Sequence, residues 1–181
     1  SLPAVALGTG RSVVAVGSGA GHTCAVLDNG SVKCWGFNTT GALGLGDPQS
    51  RGDNPNEMGD NLPAVDLGAA RSASAMTAGG NYACALLDDA TYKCWGQGSS
   101  GRLGIGDINN RGDGAGEMGD NLPAVDLGQG HAVQRVTSGA NHSCAILDDG
   151  TVKCWGGNAN GQLGLGDVTS RGFGPDQMAD A

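Results

Sequence analysis

One feature constrains the fold more than any other: a 60-residue period. Cys24, Cys84 and Cys144 recur at that spacing, as do Cys34, Cys94 and Cys154, and Trp35, Trp95 and Trp155. Self-similarity at a fixed period marks a repeat architecture, in which a unit cannot bury its own apolar faces and must stack on a neighbour. The chain divides into units 1–60, 61–120 and 121–181, read as one continuous domain. Ala181 falls at the phase of Ser1, so the sequence reads as three units cut at one point of the cycle. It begins without Met and shows no charged-then-apolar leader, so a signal peptide is expected to have been removed or never present.

Composition narrows the fold class. Glycine supplies 35 of 181 residues, against a usual share of ~7%. Each glycine inside a helix costs about 1 kcal/mol, which argues against a helical bundle. Charged residues make up only 15%, too few for a disordered, solvated chain. No apolar run approaches the ~18 residues of a membrane span. Within the first unit, residues 3–7, 13–17, 22–27 and 31–35 read as short strands separated by glycine-rich turns. Short, regularly spaced strands predict an all-β chain. Four antiparallel strands per repeat predict β-propeller blades.

The third and fourth of these strands form the clearest hairpin. A three-residue loop, Asp28-Asn29-Gly30, with glycine in the left-handed position, sets Cys24 opposite Cys34; a two-residue Asn29-Gly30 turn would instead oppose Cys24 and Trp35. The second copy has Ala90 where glycine is expected, a strain of roughly 1–2 kcal/mol. Cys24, Val26, Val32 and Cys34 then share one face. Ala25, Leu27 and Trp35 share the other, with the Lys33 stem along it. Both faces are apolar, so the hairpin is predicted to be covered on both sides, as a blade between blades is. Trp35, Trp95 and Trp155 are read as packing anchors.

Directly opposed cysteines in an antiparallel pair lie within disulfide reach. The expected pairs are Cys24–Cys34, Cys84–Cys94 and Cys144–Cys154. Each closes a short loop worth ~2.5–3 kcal/mol in the chain-entropy model, and together they imply an oxidising compartment. Reduced thiols and a zinc site are the rival readings. His22 and His142 invite zinc, but Tyr82 occupies the matching place and Cys-x2-Cys spacing is absent.

The segments 47–60, 107–120 and 167–180 carry eleven acidic residues against three arginines, which accounts for the whole net charge of −8. That balance argues against nucleic-acid binding. Loops this long usually serve a function. Asp47, Asp53, Asp60, Asp107, Asp113, Asp120 and Asp167 are candidate calcium ligands, yet their spacing fits no defined calcium loop. Arg51, Arg111 and Arg171 sit inside the loops, so internal Arg–Asp staples or merely solvated charge are the competing readings. Arg51-Gly52-Asp53 and Arg111-Gly112-Asp113 spell an adhesion tripeptide that the third copy lacks. Among the glycosylation sequons only Asn38-Thr-Thr falls in a plausible loop. No nucleophile–base set or phosphate loop is visible, and His131 stands alone, so no enzymatic activity and no cofactor other than calcium is expected.

The run from His22 through Cys24, the Leu27-Asp28-Asn29-Gly30 turn, Trp35-Gly36 and the Gly44-Leu45-Gly46-Asp47 close resembles the regulator-of-chromosome-condensation repeat. Segments 141–167 and, more loosely, 81–107 repeat the match. The resemblance implies β-propeller blades, usually seven to a ring, and protein binding as the general expectation. The cysteine-bearing form is similar to secreted or surface proteins of Gram-negative bacteria, so a periplasmic, cell-surface or extracellular setting is expected. The founding member's nucleotide exchange and chromatin binding do not carry over, because the basic surface is missing. Nor do the clustered tryptophans of the family's light-sensing branch, because the residues before His22 and His142 are small or polar. Three blades form a partial propeller, or a ring or polymer completed by another chain. The leading expectation is an interaction scaffold whose loops differ at Phe37/Gln97/Gly157 and Pro48/Ile108/Val168. Head-to-tail self-association through the exposed terminal blades, giving a ring, fibre or surface layer, is the alternative. A calcium-dependent adhesin is the third.

Overall fold

Alternating apolar residues closed by glycine turns give three antiparallel sheets of three strands each. They are β1 (Val13–Ser18), β2 (His22–Leu27) and β3 (Val32–Gly36); β4 (Ala73–Ala78), β5 (Tyr82–Leu87) and β6 (Tyr92–Gly96); and β7 (Val133–Ser138), β8 (His142–Leu147) and β9 (Val152–Gly156). The computed structural model describes residues 1–128, 130–174, 177 and 178. The end of the third acidic loop at Asp180, and the phase of Ala181, lie outside the described residues. The only helical pieces among the described residues are three short 3-10 turns.

The hairpins take the register of the three-residue loop. Cys24 faces Cys34, Val26 faces Val32, and the matching pairs recur in the other two sheets. Leu27 N–H donates to Ser31 O at 2.9 Å, closing the turn. Gly30 (φ 76°), Ala90 (φ 63°) and Gly150 (φ 82°) occupy its left-handed position. Disulfides join Cys24–Cys34, Cys84–Cys94 and Cys144–Cys154, and no described cysteine is free. The first strand of each sheet carries one register shift, between Val13 and Ala15 and at the same place in β4 and β7. Repetition at one phase marks it as a built bulge that bends the strand.

Residues 3–7, read as a strand from sequence, form none. Their counterparts show why. The matching segment of each later unit attaches to the preceding sheet: Val65 N–H donates to Val32 O at 2.8 Å, and Val125 N–H to Tyr92 O at 2.7 Å. A fourth edge segment therefore belongs to the sheet before its own unit, and among the described residues no sheet lies before residues 3–7. Alternating polarity in a sequence marks a strand but does not name its partner.

Packing between sheets follows from the two apolar faces. The Cys24, Val26, Val32 and Cys34 face of the first sheet packs with Met76, Ala85, Leu87 and Trp95 of the second. The Cys84, Leu86, Tyr92 and Cys94 face of the second packs with Val133, Ala145, Leu147 and Trp155 of the third. Ala25 and Leu27 of the first sheet are closed over by Leu7 and Leu62, with Met58 and Trp35 alongside. The Cys144 face of the third sheet is different. Ile146 is 38% exposed and Val152 61%, and both cysteines of that sheet are half-buried. Two-sided coverage thus holds for the second sheet, is incomplete in the first, where Val13, Val14 and Val16 are exposed, and fails for the third.

Ala90 supplies a local test. A side chain at positive φ costs about 1–2 kcal/mol, part of which glycine loses again to unfolded-state entropy. Ala90→Gly is expected to raise the unfolding free energy by about 1 kcal/mol, read as a higher urea midpoint. An unchanged or lower midpoint contradicts the left-handed turn.

Candidate interaction surfaces

Residues after the third strand of each sheet build one face of the molecule. Their anchor is a Trp-Gly step. Gly36 (φ 105°) pairs its backbone with Arg51, and Gly96 and Gly156 do so with Arg111 and Arg171. A Cβ at Gly36 would meet Gly21 O at 2.4 Å, so only glycine lets the chain turn into the loop here.

Inside the loop, the Asn38 amide is wholly buried. It donates to Asp47 O (2.7 Å) and Gln49 O (3.0 Å) and accepts Leu43 N–H (2.8 Å). Asn158 makes the same set with Asp167 O, Thr169 O and Leu163 N–H. This corrects the reading of Asn38 as a sequon: its nitrogen is committed inside the loop. The second unit has Gly98 there, and the Asn110 side chain accepts its N–H instead. Nearby, Arg102 bonds Ser99 and Gln97 and lies over the Tyr82 ring.

The acidic segments are stapled from within. Arg51 reaches Asp47 at 2.8 Å, Arg111 reaches Asp107 at 2.6 Å, and Arg171 reaches Asp167 at 2.8 Å. Glu57 accepts Gly52 N–H and Asn54 N–H, and Glu117 accepts Gly112 N–H and Gly114 N–H. Burial alone would push the Glu57 carboxyl up, but these N–H groups hold it below its usual range. The Thr9 hydroxyl and N–H lower Asp60, and the Thr169 N–H lowers Asp167. Asp113 accepts from Asn110, Asp53 from Asn54, and Asp120 from the Ala69 N–H. The seven candidate calcium ligands are therefore distributed among separate local bonds. The arginine of each adhesion-type tripeptide points back into its own loop.

His131, which spacing left alone, meets Asp148 at 3.5 Å and Asp149 at 3.6 Å. Aligning the units on one another would have found it. Arg11 pairs with Asp28, and Arg71 with Asp88 and Asp89, at the same phase. Among the described residues, His131, Asp148 and Asp149 are the one group of three metal-competent side chains brought together.

Loop packs on loop across units. Gly46 N–H donates to Gly112 O (3.0 Å), and Gly106 N–H to Gly172 O (3.2 Å). The tryptophans join the same seam: Trp95 Nε1 donates to Ala42 O and Trp155 Nε1 to Arg102 O. Trp35, first in the series, is only half-buried. On this knitted face the side chains that differ between units stand out: Phe37, Ile108, Val168 and Phe173 are all exposed. Two smaller interior features separate the units. Thr77 bonds both the Tyr92 hydroxyl and Ser138 between the second and third sheets. Tyr82 reaches the Gly139 and His142 carbonyls and Ser143, and burial pushes its hydroxyl up.

His22 occupies the place of Tyr82 one unit earlier. Burial lowers its pKa from 6.5, partly opposed by a bond to the Tyr82 backbone, and Nε2 has no partner among the described residues. With a folded pKa below the unfolded one, the unfolded state takes up the extra proton. His22 therefore stabilises the fold fully above pH 6.5, and that contribution is lost as pH falls through the window below it. His22→Tyr, which copies the second unit, is expected to flatten the decline of Tm between pH 7 and pH 5. An unaltered decline in that variant contradicts the buried neutral imidazole.

Profiles of the regulator of chromosome condensation (RCC1) repeat match residues 13–42, 94–146 and 133–162, together more than half of the chain. The chain is 28% identical over 168 residues to protein pim1 of Schizosaccharomyces pombe, covering 87% of this chain and 29% of the relative. It is 30% identical over 154 residues to the RCC1 domain-containing protein RUG3, mitochondrial, of Arabidopsis thaliana, covering 84% and 32%. It thus spans about a third of the length of the relatives it matches. In fold it is similar to yeast RCC1 (Prp20) in the crystal structure bound to Kap60, with a TM-score of 0.65 at 19% identity over 93% of this chain and 37% of that one.

Proposed function

This chain belongs to the RCC1 repeat family, and we propose that it is a non-enzymatic protein-interaction scaffold in which units 1–60, 61–120 and 121–181 act as one domain. The observation that carries this reading is the knitted loop face. Its backbone is fixed by buried amides, Arg–Asp staples and unit-to-unit hydrogen bonds. On that fixed frame the variable positions project exposed apolar side chains, Phe37, Ile108 and Val168. A rigid scaffold bearing divergent loops is the general arrangement for recognition, and apolar side chains displayed on it suit a protein surface. The reading calls on no metal: the candidate loop aspartates accept hydrogen bonds from their own loops or, at Asp60 and Asp120, from Thr9 and Ala69.

The three disulfides point to an oxidising compartment. Within that class we place the chain in the periplasm, on the surface or in the surroundings of a Gram-negative bacterium, on the resemblance of its cysteine-bearing repeats. No helix among the described residues is long and apolar enough to cross a membrane. A second reading, self-association, is favoured by the uncovered Cys144 face and by the exposed Val13, Val14 and Val16 at the other end of the stack.

A photo-cross-linking residue at 37, 108 or 168 tests the scaffold reading, with 29, 89 and 149 on the opposite turns as controls. In the producing organism, the three loop positions are expected to trap one protein in common while the turn positions do not. Equal trapping from both faces, or none from the loops, contradicts it.

A further inference from the structure

The turn between β8 and β9 differs from its two counterparts in one chemical respect. In the first unit Arg11 reaches Asp28 at 3.2 Å, and in the second Arg71 reaches Asp89 at 3.0 Å and Asp88 at 3.4 Å. A fixed guanidinium thus stands against the turn carboxylates. The third unit keeps both carboxylates, Asp148 and Asp149, but has His131 at the phase of the arginine. Among the described residues, no lysine or arginine lies within ion-pair reach of these two aspartates.

The three side chains are brought together by the bonds around them. Asp148 N–H donates to Ala132 O at 2.9 Å, which draws the turn onto the segment next to His131. Asp149 Oδ1 accepts the Thr151 N–H (2.9 Å) and the Thr151 hydroxyl (2.7 Å), which orients the carboxylate and leaves Oδ2 toward the imidazole. A hydrogen bond to the far oxygen of a carboxylate is the usual support of a metal ligand. His131 Nδ1 then lies 3.5 Å from Asp148 Oδ1 and 3.6 Å from Asp149 Oδ2. Those gaps are too long for good hydrogen bonds. They match the edge of a tetrahedral donor set, in which ligands held at ~2.0–2.2 Å from the ion stand about 3.4 Å apart. All three donor atoms lie within 4.8 Å of one another. Each side chain is partly exposed, so water has access to complete the coordination.

We propose that His131 Nδ1, Asp148 Oδ1 and Asp149 Oδ2 bind a divalent transition-metal ion of the zinc class, with water in the remaining position. An exchangeable cation thereby takes the place of the fixed arginine of the other two units, and clamps the turn to the segment before β7 as that arginine does. One imidazole nitrogen with two carboxylate oxygens suits Zn²⁺, whereas Ca²⁺ takes about 6–8 oxygens. No described cysteine is free to compete for the ion. The site lies on the turn side of the sheet, opposite the loop face, so it stands independently of the scaffold reading.

Isothermal titration calorimetry with zinc chloride at pH 7.5 on the purified 181-residue chain tests this with two variants that copy the chain's own other units. His131→Arg restores the guanidinium of Arg11 and Arg71. Asp149→Asn copies Asn29, whose Oδ1 accepts the Ser31 N–H and hydroxyl just as Asp149 accepts those of Thr151. Both variants are therefore expected to fold, read as unchanged circular dichroism. The wild type is expected to bind one Zn²⁺ per chain and to melt at a higher temperature with Zn²⁺ than with EDTA. Each variant is expected to bind at least tenfold more weakly and to lose the zinc-dependent rise in Tm. A wild type that takes up no Zn²⁺, or variants that bind it as tightly as the wild type, would overturn the site.

Discussion

Everything in this molecule follows from a sheet with two apolar faces. One carries the disulfide and its valines; the other carries alanine, leucine and the tryptophan. Both faces are apolar, and the natural cover for one face is the other face of the next unit. Where that cover is present, between the first and second sheets and between the second and third, side chains are nearly all buried. Where it is missing, the same sequence positions are exposed. Burial here is a property of place in the stack more than of residue type, as expected of quasi-one-dimensional repeats.

The loops depend on that stack in turn. The Trp-Gly step sends the chain out of the sheet at a fixed angle, and the tryptophan returns a hydrogen bond to the preceding loop. Asn38 and Asn158 tie the outgoing and returning loop arms together, and the arginines staple the acidic arm. Much of the negative charge of the sequence is therefore tied up in bonds that hold each loop, and the few exposed apolar side chains that differ between units are the ones we propose for recognition. In the second unit, Gly98, Asn110 and Arg102 replace the asparagine device with another solution of the same problem.

Much of this was legible in the sequence. The period, the all-β class, the three-residue turn and the Cys24–Cys34 register all follow from local spacing, and the structure has each of them. Residues 3–7 were misread because a strand pattern is local while its partner belongs to the previous unit. Asn38 looked like a surface sequon because burial of a loop amide leaves no mark in the motif. His131 looked isolated because its carboxylate partners lie across a turn, although Arg11 and Arg71 at the same phase pointed to them. Comparing units with one another, rather than reading each alone, recovers what spacing misses.

The measurement closest to the central claim is the order in which the disulfides are reduced by a mild thiol under native conditions, in solution dilute enough to keep chains single, followed by peptide mapping. Cys24–Cys34 and Cys84–Cys94 are sealed between sheets, with no exposed surface on any of the four cysteines, while Cys144–Cys154 lies on the uncovered face. The stacking account predicts that Cys144–Cys154 opens first and that the other two persist until the chain unfolds. Simultaneous reduction of all three, or loss of an inner bridge before the outer one, would contradict it.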